Sequence, residues 1–295
     1  MIDPKITTFI WAAKLKSFTK AAEMLNLTQP AVTQHIKQLE VHYKVKLFKK
    51  VGRQIYLTEE GEILFKYAKD LEANSLFVER TLRNKSALNK RYNVGTTLTI
   101  GEYVLPDMLG RFKQENENID IIVHVHNTDE NLKRLTSGEL DLSIVEGLFD
   151  KNRFKYKKMR DDELVLVASP VSSFARVGEV SLENVAYGGK LILREKGSGT
   201  RMVLENKMSD MGLSLTDLKV YMEVGSIGAI KSLVQANLGY TVVSLEAVDK
   251  EVREGTLVIV PIKGIKIMRE FNFIYTDISQ NSFIQEFMDY ITNLI

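Results

Sequence analysis

The chain of 295 residues contains no cysteine. Disulfide bonds, cysteine-ligated zinc, iron-sulfur clusters and thiol redox switches all need that side chain, so the composition excludes them. Regulation by oxidation of a thiol is therefore excluded for this protein.

The sequence also lacks a long apolar run. No stretch reaches 18 consecutive apolar residues, the length expected of a membrane-spanning helix, and the N-terminus lacks the apolar core of a signal peptide. These absences predict a cytoplasmic protein with no membrane partner.

Signatures of catalysis are missing as well. The GSGT of residues 197–200 lacks the GKS or GKT ending of a phosphate-binding loop, and neither GxGxxG nor GxSxG occurs. His124 and His126 share one face of a predicted strand, as two metal ligands would, but no CxxC or HExxH accompanies them. A structural or solvated pair is the simpler interpretation. The sequence predicts no enzyme, no cofactor and no metal site.

Charge is unevenly divided along the chain. Residues 1–91 contain 17 Lys and Arg against 9 Asp and Glu, about +8; subtraction from the totals of 40 and 38 leaves 23 against 29, about −6, for the remainder. The basic part suits binding to a polyanion, whereas the acidic remainder argues against nonspecific electrostatic binding by the whole chain. The length predicts two domains or slightly more.

Residues 17–40, SFTKAAEMLNLTQPAVTQHIKQLE, predict two short amphipathic helices joined by a polar turn. In the first helix, Phe18, Ala21, Ala22 and Leu25 fall at i, i+3, i+4 and i+7 and predict its buried face. Thr28 follows the turn and is placed to cap the second helix. That helix tolerates Pro30 because the proline lies in its first turn.

The second helix is predicted to bury Val32, Ile36, Leu39 and Tyr43, at spacings i, i+4, i+7 and i+11. Its other face contains no carboxylate before Glu40 and carries Gln29, Pro30, Thr33, Gln34 and Lys37. Glutamine pairs with the edge of adenine, the threonine methyl contacts thymine, and lysine reaches guanine or a phosphate. The pattern thus favours a helix that reads the major groove of DNA. Taken alone, the segment also fits a solvated helix face in any small helical domain.

The flanking segments strengthen the DNA-binding interpretation. Ile6, Phe9, Ile10 and Ala13 predict a third amphipathic helix that completes a small core. Residues 47–57, LFKKVGRQIYL, predict a hairpin whose tip carries Lys49, Lys50 and Arg53. Such a basic hairpin fits a wing over a phosphate backbone or a minor groove, and a solvated run of charge is the alternative.

Residues 1–65 resemble the winged helix-turn-helix of the LysR-type transcriptional regulators, through the segment at 17–40, the LFKKVGR wing and the LTEEG of residues 57–61. Thr33 and Gln34 stand where that family often has Ser and Arg, which bears on base preference. The resemblance implies a regulator of transcription that binds double-stranded operator DNA, with RNA polymerase as a candidate further partner. The candidate DNA-binding residues are Thr28, Gln29, Pro30, Thr33, Gln34, Lys37, Lys49 and Arg53.

Residues 59–90 predict one long linker helix, because neither glycine nor proline occurs between Gly61 and Lys90. At 1.5 Å per residue it would be roughly 45 Å long. Six positions alternate spacings of four and three, as in a coiled-coil seam that Ala68 and Ser75 make weak; they are Leu64, Ala68, Leu71, Ser75, Val78 and Leu82. The seam predicts pairing with a second copy, in a homodimer or a homotetramer. Packing of the helix on its own C-terminal domain is the alternative.

From Tyr92 onward, predicted strands alternate with predicted helices, which favours mostly parallel sheets covered by helices. The predicted strands are residues 120–127, 140–145, 163–168, 190–193, 219–224, 240–243 and 257–262, and the main predicted helices are residues 128–138, 200–211 and 226–238. This part resembles the family's effector domain, which is similar to periplasmic binding proteins.

The fold class expected is therefore α+β and multidomain. It comprises a winged helix-turn-helix at residues 1–58, the linker helix at 59–90 and a two-lobed α/β effector-binding domain at 91–295. Lobe 1 is expected at about 92–162 and 269–295, and lobe 2 at about 163–268.

Three predicted strand-to-helix junctions could donate hydrogen bonds to a small anion. Thr97 and Thr99 lie at the first, Ser198, Gly199 and Thr200 at the second, and Ser226 at the third. Hydroxyl groups and free N–H groups at a helix start suit carboxylate, sulfate or phosphate. The alternative for each is an ordinary capped helix start, which for Ser226 is the better interpretation.

The segments GTTLTIGEYVLP and LREKGSGTR are most similar to the regulators of sulfur assimilation or carbon fixation, although Leu98 replaces a hydroxyl residue common there. The resemblance implies a small, anionic effector, whose identity stays open. Two rival classes are a solute-binding protein with an accessory domain, which would need a signal peptide, and an enzyme with a DNA-binding domain.

Overall fold

The computed structural model describes residues 2–51, 54–86, 90–276 and 282–295. It divides into two compact units, one formed by Met1–Ala87 with Thr136–Glu139 and the other by Leu88–Leu135 with Leu140–Ile295. Within the described ranges, no helix combines the length and the apolar character needed to cross a bilayer.

The first unit is a helical core with a hairpin and a long helix. Its elements are α1 Pro4–Leu15, α2 Phe18–Leu25, α3 Gln29–Tyr43, β1 Phe48–Val51, β2 Gln54–Leu57 and α4 Glu59–Ser86. Phe9 is fully buried at the centre of the core, and its ring meets the edge of Phe48 at 5.5 Å between centroids. The hairpin is therefore attached to the helices through aromatic packing.

Caps determine where the first helices begin and end. Asn26 ends α2 in the left-handed conformation, and its N–H bonds back to Ala22 and Glu23. The Thr28 hydroxyl accepts from the Ala31 N–H at 3.4 Å, so the predicted cap of α3 is confirmed, with Pro30 in the first turn. The tight turn between α2 and α3 thus follows from local chemistry.

Two predictions about buried residues are wrong. Ala12 is fully buried and Ala13 is only partly so, because α1 turns the face containing Phe9 and Ala12 toward the core. Tyr43 is 46% exposed and meets the His42 ring instead of the core. It is the last residue of α3, and the chain turns away at the left-handed Lys44.

The long helix α4 begins against the hairpin. Thr58 precedes it, accepts the Gly61 N–H at 3.0 Å and donates its hydroxyl to the Lys46 carbonyl at 2.5 Å. Leu64 and Ala68 pack into the core of this unit, so the first two positions of the predicted seam are internal. Leu71, Val78 and Leu82, farther along, are 53%, 53% and 62% exposed.

The second unit contains strands and helices in alternation. Its strands are β3 Lys90–Thr96, β4 Ile119–Val125, β5 Leu142–Glu146, β6 Lys155–Ala168, β7 Leu191–Leu193, β8 Val220–Glu223, β9 Thr241–Ser244, β10 Val258–Ile259 and β11 Ile267–Tyr275. Its helices are α5 Leu105–Glu115, α6 Thr128–Thr136, α7 Ser173–Val177, α8 Leu182–Tyr187, α9 Gly199–Asp210, α10 Ile227–Gln235, α11 Leu245–Arg253 and α12 Ser282–Asn293, with a π-helical segment Ile100–Val104 before α5.

The main sheet is mixed. Its strand order is β10, β6, β11, β5, β3, β4, with β9 also paired to β6. β3 is parallel to β4 and β5, and β7 is parallel to β8, but β11 is antiparallel to both β5 and β6. β9 and β10 are also antiparallel to β6. The expectation of mostly parallel sheets is therefore wrong for every pair that β6 and β11 make, because the chain leaves along β6 and returns along β11.

The hydrophobic cores divide along those two strands. One core contains Met159 and Phe271, together with residues of β3, β5, α5 and α12, and is called lobe 1 here. Another begins at Leu164 and Ile267 and includes β7, β9, α8 and α9, and is called lobe 2. The passage between the lobes thus lies inside β6 and β11, near Asp162 and Arg269.

Candidate functional sites

The outer face of α3 carries the residues predicted to read DNA. Gln29, Pro30, Gln34 and Lys37 are exposed and Thr33 is partly exposed. The Gln29 amide donates to the Thr33 hydroxyl at 3.0 Å, and that hydroxyl donates to the Gln29 carbonyl at 3.1 Å. Gln29 and Thr33 are therefore held in a fixed arrangement beside Gln34. Their contact with bases stays a prediction.

Three side chains to which sequence reasoning gave no such role hold α3 in place. The Thr8 hydroxyl donates to the Pro4 carbonyl at 2.8 Å and lies 2.9 Å from Nδ1 of His35. A hydroxyl has one proton, so Nδ1 of His35 is the donor in this pair. Glu40 accepts from the Leu47 N–H at 3.0 Å and from Lys46 at 2.7 Å. The sequence did contain a signal for this role, because Glu40 is the one acidic residue of α3 and lies near its end.

The predicted hairpin forms between β1 and β2. Phe48 pairs with Leu57 and Val51 with Gln54, and Lys49 on β1 is exposed. Arg53 lies outside the described residues.

The second unit brings buried hydroxyl groups together at the junction of its lobes. Thr97 and Thr99 follow β3, Thr128 follows β4, and Thr200 lies in the first turn of α9; each is at most 3% exposed. Arg269 on β11 joins the two sides, because Nη1 donates to the Thr200 hydroxyl at 2.8 Å and Nη2 lies 3.5 Å from the Thr99 hydroxyl. The structure thus places two predicted junctions side by side.

Two buried carboxylates complete this junction, and sequence reasoning missed both. Glu146 ends β5, accepts from the hydroxyls of Thr97 and of Thr99, the latter at 3.3 Å, and lies 3.6 Å from Arg269 Nη1. Asp162 on β6 accepts from Arg269 Nε at 2.6 Å and from the Ser244 hydroxyl at 2.7 Å. The signal was Arg269 itself, which shares one buried face of β11 with Ile267, Phe271 and Phe273.

The backbone of α9 meets lobe 1 at Gly199. A Cβ on Gly199 would lie 2.2 Å from the Glu146 carbonyl oxygen, so only glycine fits there. The neighbouring Ser198 hydroxyl is buried and has no hydrogen-bond partner among the described residues. A buried hydroxyl without a partner is costly, and it is a donor available to a ligand oxygen.

The third predicted junction does not join this group. Ser226 is exposed, and its hydroxyl accepts the Ala229 N–H at 3.3 Å, as a simple cap of α10 does. An effector contact by Ser226 stays a prediction.

Arg201, one residue after Thr200, is held by Glu205 at 2.7 Å and by Glu223 at 2.6 Å, and the hydrogen bond from Arg201 lowers the pKa of Glu223.

Two other features of this unit are His124 on β4 and a surface pocket. His124 Nε2 lies 3.0 Å from the Asn93 side-chain oxygen, and the described residues contain no metal-binding group of three His, Asp or Glu side chains. A pocket of about 360 Å³ lies against α5 and β4, lined by Arg91, Leu109, Lys113, Asp120, Ile121 and Ile122. None of the predicted effector residues lines that pocket.

A winged helix-turn-helix and a two-lobed α/β domain define the class of DNA-binding regulators that carry a ligand-sensing domain. The family description "Bacterial regulatory helix-turn-helix protein, lysR family" matches residues 5–62, and "LysR substrate binding domain" matches residues 85–294.

Two relatives match this sequence over nearly the whole chain. The HTH-type transcriptional activator CmpR of Synechocystis sp. is 33% identical over 284 residues, covering 96% of this chain and 92% of CmpR. A probable RuBisCO transcriptional regulator of Cyanidium caldarium is 32% identical over 290 residues, covering 94% and 90%.

Among solved structures, the Synechocystis CcmR regulatory domain in complex with 2-PG has a TM-score of 0.62 and 26% identity, and the match covers 69% of this chain and 96% of that one. The chain belongs to the LysR family and is a LysR-type DNA-binding transcriptional regulator with an effector-binding domain. The relatives named for RuBisCO regulation fit the carbon-fixation side of the subgroup resemblance.

Proposed function

We propose that this regulator senses a small metabolite with an anionic group, bound between the lobes of its second unit. The observation that supports this most is the buried group of hydroxyls around Arg269, which collects donors from both lobes and from a crossing strand. Arginine and hydroxyl donors suit carboxylate, sulfate or phosphate oxygens. The CcmR regulatory domain, whose structure is in complex with 2-PG, supports a small-molecule ligand in a domain of this kind.

The exposed face of α3, with the wing, is proposed to contact operator DNA through the residues named above. Reading two half-sites requires two copies, and the exposed apolar positions Leu71, Val78 and Leu82 on α4 support pairing in a homodimer or homotetramer. We also propose that RNA polymerase is a partner, that the protein has no enzymatic activity and that it is located in the cytoplasm. The curated relatives are transcription regulators, which counts against the solute-binding and enzyme alternatives.

Binding between the lobes would act by changing how they meet. Arg269 touches Thr200 of lobe 2 while it also binds Asp162, so a ligand that rearranges its contacts biases the two lobes toward another arrangement. In a paired molecule, that change alters the fit of two reading helices to spaced half-sites.

Two measurements test this proposal. Thermal shift with inorganic sulfate, inorganic phosphate and 2-PG should show stabilisation by at least one anion, and that stabilisation should be lost in both Thr99→Ala and Thr200→Ala. Footprinting on a bound promoter, with and without the stabilising anion, should show altered protection of one half-site. Identical stabilisation in wild type and both variants would place the site elsewhere, and identical footprints would contradict the coupling.

A further inference from the structure

The junction of the lobes already holds a carboxylate on donors that the proposed anion would use. Glu146 is 2% exposed and accepts from the hydroxyls of Thr97 and Thr99. A carboxylate presents a pair of negatively charged oxygens, as a ligand oxyanion does. Glu146 therefore occupies the position of a ligand on the lobe 1 side.

The charges at the junction do not favour a second anion beside Glu146. Glu146 and Asp162 carry two negative charges against the single positive charge of Arg269, and all three residues are at most 5% exposed. Arg269 is already shared, with Nε bound to Asp162 at 2.6 Å. Because water screens little in such a site, an anion can take the two threonine hydroxyls only if Glu146 leaves them.

The displaced carboxylate has a partner within reach. Arg269 Nη1 lies 2.8 Å from the Thr200 hydroxyl and 3.6 Å from Glu146 Oε1. Nη1 has two N–H groups, so it can serve both partners; a movement of Glu146 toward Arg269 would form a closer ion pair and turn the guanidinium away from Thr200. The unpartnered Ser198 hydroxyl, next to Gly199, offers the incoming ligand a donor from lobe 2.

We propose that Glu146 is an intramolecular competitor of the effector. An oxyanion group of the ligand, whether carboxylate, sulfate or phosphate, replaces Glu146 on Thr97 and Thr99. The displaced carboxylate pairs with Arg269 and weakens its bond to Thr200, so occupancy of lobe 1 changes the contact with lobe 2. This inference rests on the proposed function and adds how the site is regulated.

The test uses the full chain and a substitution that removes only the charge. Glu146→Gln keeps the size of the side chain and an oxygen that accepts hydrogen bonds. Glu117→Gln removes the same charge from an exposed position of the same unit and serves as the matched control. Isothermal titration calorimetry with inorganic sulfate, inorganic phosphate and 2-PG measures each dissociation constant.

We expect Glu146→Gln to bind at least one of these anions roughly tenfold or more tightly than wild type, with Glu117→Gln changed by less than about twofold. Glu146→Asp, which keeps the charge but shortens the reach to the hydroxyls, should bind more tightly than wild type and less tightly than Glu146→Gln. It supplies a second measurement if Glu146→Gln fails to fold.

The outcomes separate the two proposals. Binding by wild type that is unchanged or weakened in both Glu146 variants overturns the competition and leaves the proposed function standing. Failure of wild type and of both folded variants to bind any of the three anions overturns anion sensing itself.

Discussion

At the scale of single residues, Arg269 determines how the lobe junction is held. Its guanidinium contacts Asp162, Thr200, Thr99 and Glu146, and its side chain is 2% exposed. Removing one member of such a buried network leaves charges without partners, which costs far more than losing an exposed ion pair.

Arg269→Met should therefore lower the free energy of unfolding of the second unit by about 3–5 kcal/mol. Hydrogen exchange of the β6 and β11 amides, followed by mass spectrometry, measures this locally. Arg111→Met is the control, since Arg111 pairs with Asp107 at 3.0 Å with both side chains at least 60% exposed, and it should cost less than about 1 kcal/mol. Equal effects of the two substitutions would show that the network does not stabilise the junction.

Helix α3 gives a second prediction at this scale. Gln34→Ala should bring the affinities for operator and mutated operators closer together by about 1–3 kcal/mol at one base position. Lys49→Ala should instead weaken binding to all duplexes alike and reduce the salt dependence. Competition binding at several salt concentrations distinguishes the two, and normal base discrimination by Gln34→Ala would exclude Gln34 as a base contact.

Single residues also show what the sequence could and could not predict. The cap at Thr28 was predictable, because capping depends on a side chain and the backbone three residues away. The contacts of Glu146 and Arg269 were not, since they join residues far apart along the chain, and spacing does not say which strands become neighbours. The sequence did show Arg269 on an apolar strand face, and a charged residue at such a position indicates a buried partner.

At the scale of elements, α4 serves two roles along its length. Its first turns belong to the core around Phe9, through Leu64 and Ala68, whereas Leu71 and Val78 are exposed farther along. The heptad pattern predicted one continuous seam, because a sequence pattern cannot distinguish burial within a chain from burial between chains.

Leu71→Lys combined with Val78→Lys should weaken self-association by roughly 2–5 kcal/mol, because each apolar side chain loses burial and the new charges repel their copies. Sedimentation equilibrium over a range of concentrations measures the change. Ile63→Lys, at a 57% exposed position off the predicted seam, is the matched control and should leave association unchanged. An unaltered oligomer in the double variant would place the interface elsewhere.

The π-helical segment Ile100–Val104 connects the Thr97 and Thr99 turn to α5 and carries Tyr103. Lys231 Nζ lies 4.7 Å from the centre of the Tyr103 ring and donates to Glu251 at 2.7 Å. Burial acts to lower the pKa of Lys231, but Glu251 and Tyr103 outweigh it, so the pKa is raised and the lysine stays charged.

Tyr103→Leu should remove about 0.5–2 kcal/mol of this contact between α10 and the π-helical segment. Faster hydrogen exchange in the segment, with unchanged exchange in α12, would confirm it. Exchange that is unchanged in the segment would contradict a stabilising role.

At the scale of the whole molecule, lobe 1 is built from two separated stretches of chain. Tyr92 at its beginning stacks on Phe283 of α12 with ring centroids 3.7 Å apart, and Phe112 meets Phe287 at 5.0 Å. The α12 side chains therefore complete a core begun by β3 and α5.

Phe283→Ala should cost about 3–5 kcal/mol of lobe 1 stability, since Phe283 is 1% exposed. Limited proteolysis should then cut within lobe 1 and spare residues 2–51 of the DNA-binding unit. Leu294→Ala, at a 37% exposed position near the same helix, is the control and should resist cleavage like wild type. Resistance of Phe283→Ala would mean that lobe 1 does not depend on α12.

The pairing of Tyr92 with Phe283 also orders events during synthesis. A ribosome releases β3, α5 and β5 long before α12. Their apolar faces therefore stay without the α12 side chains while all of lobe 2 is synthesised. Lobe 2 lies between the crossing strands and has its own core, so it can fold during that time. The nascent regulator would thus acquire a DNA-binding unit first, lobe 2 next, and a complete ligand-sensing cleft only once α12 is made.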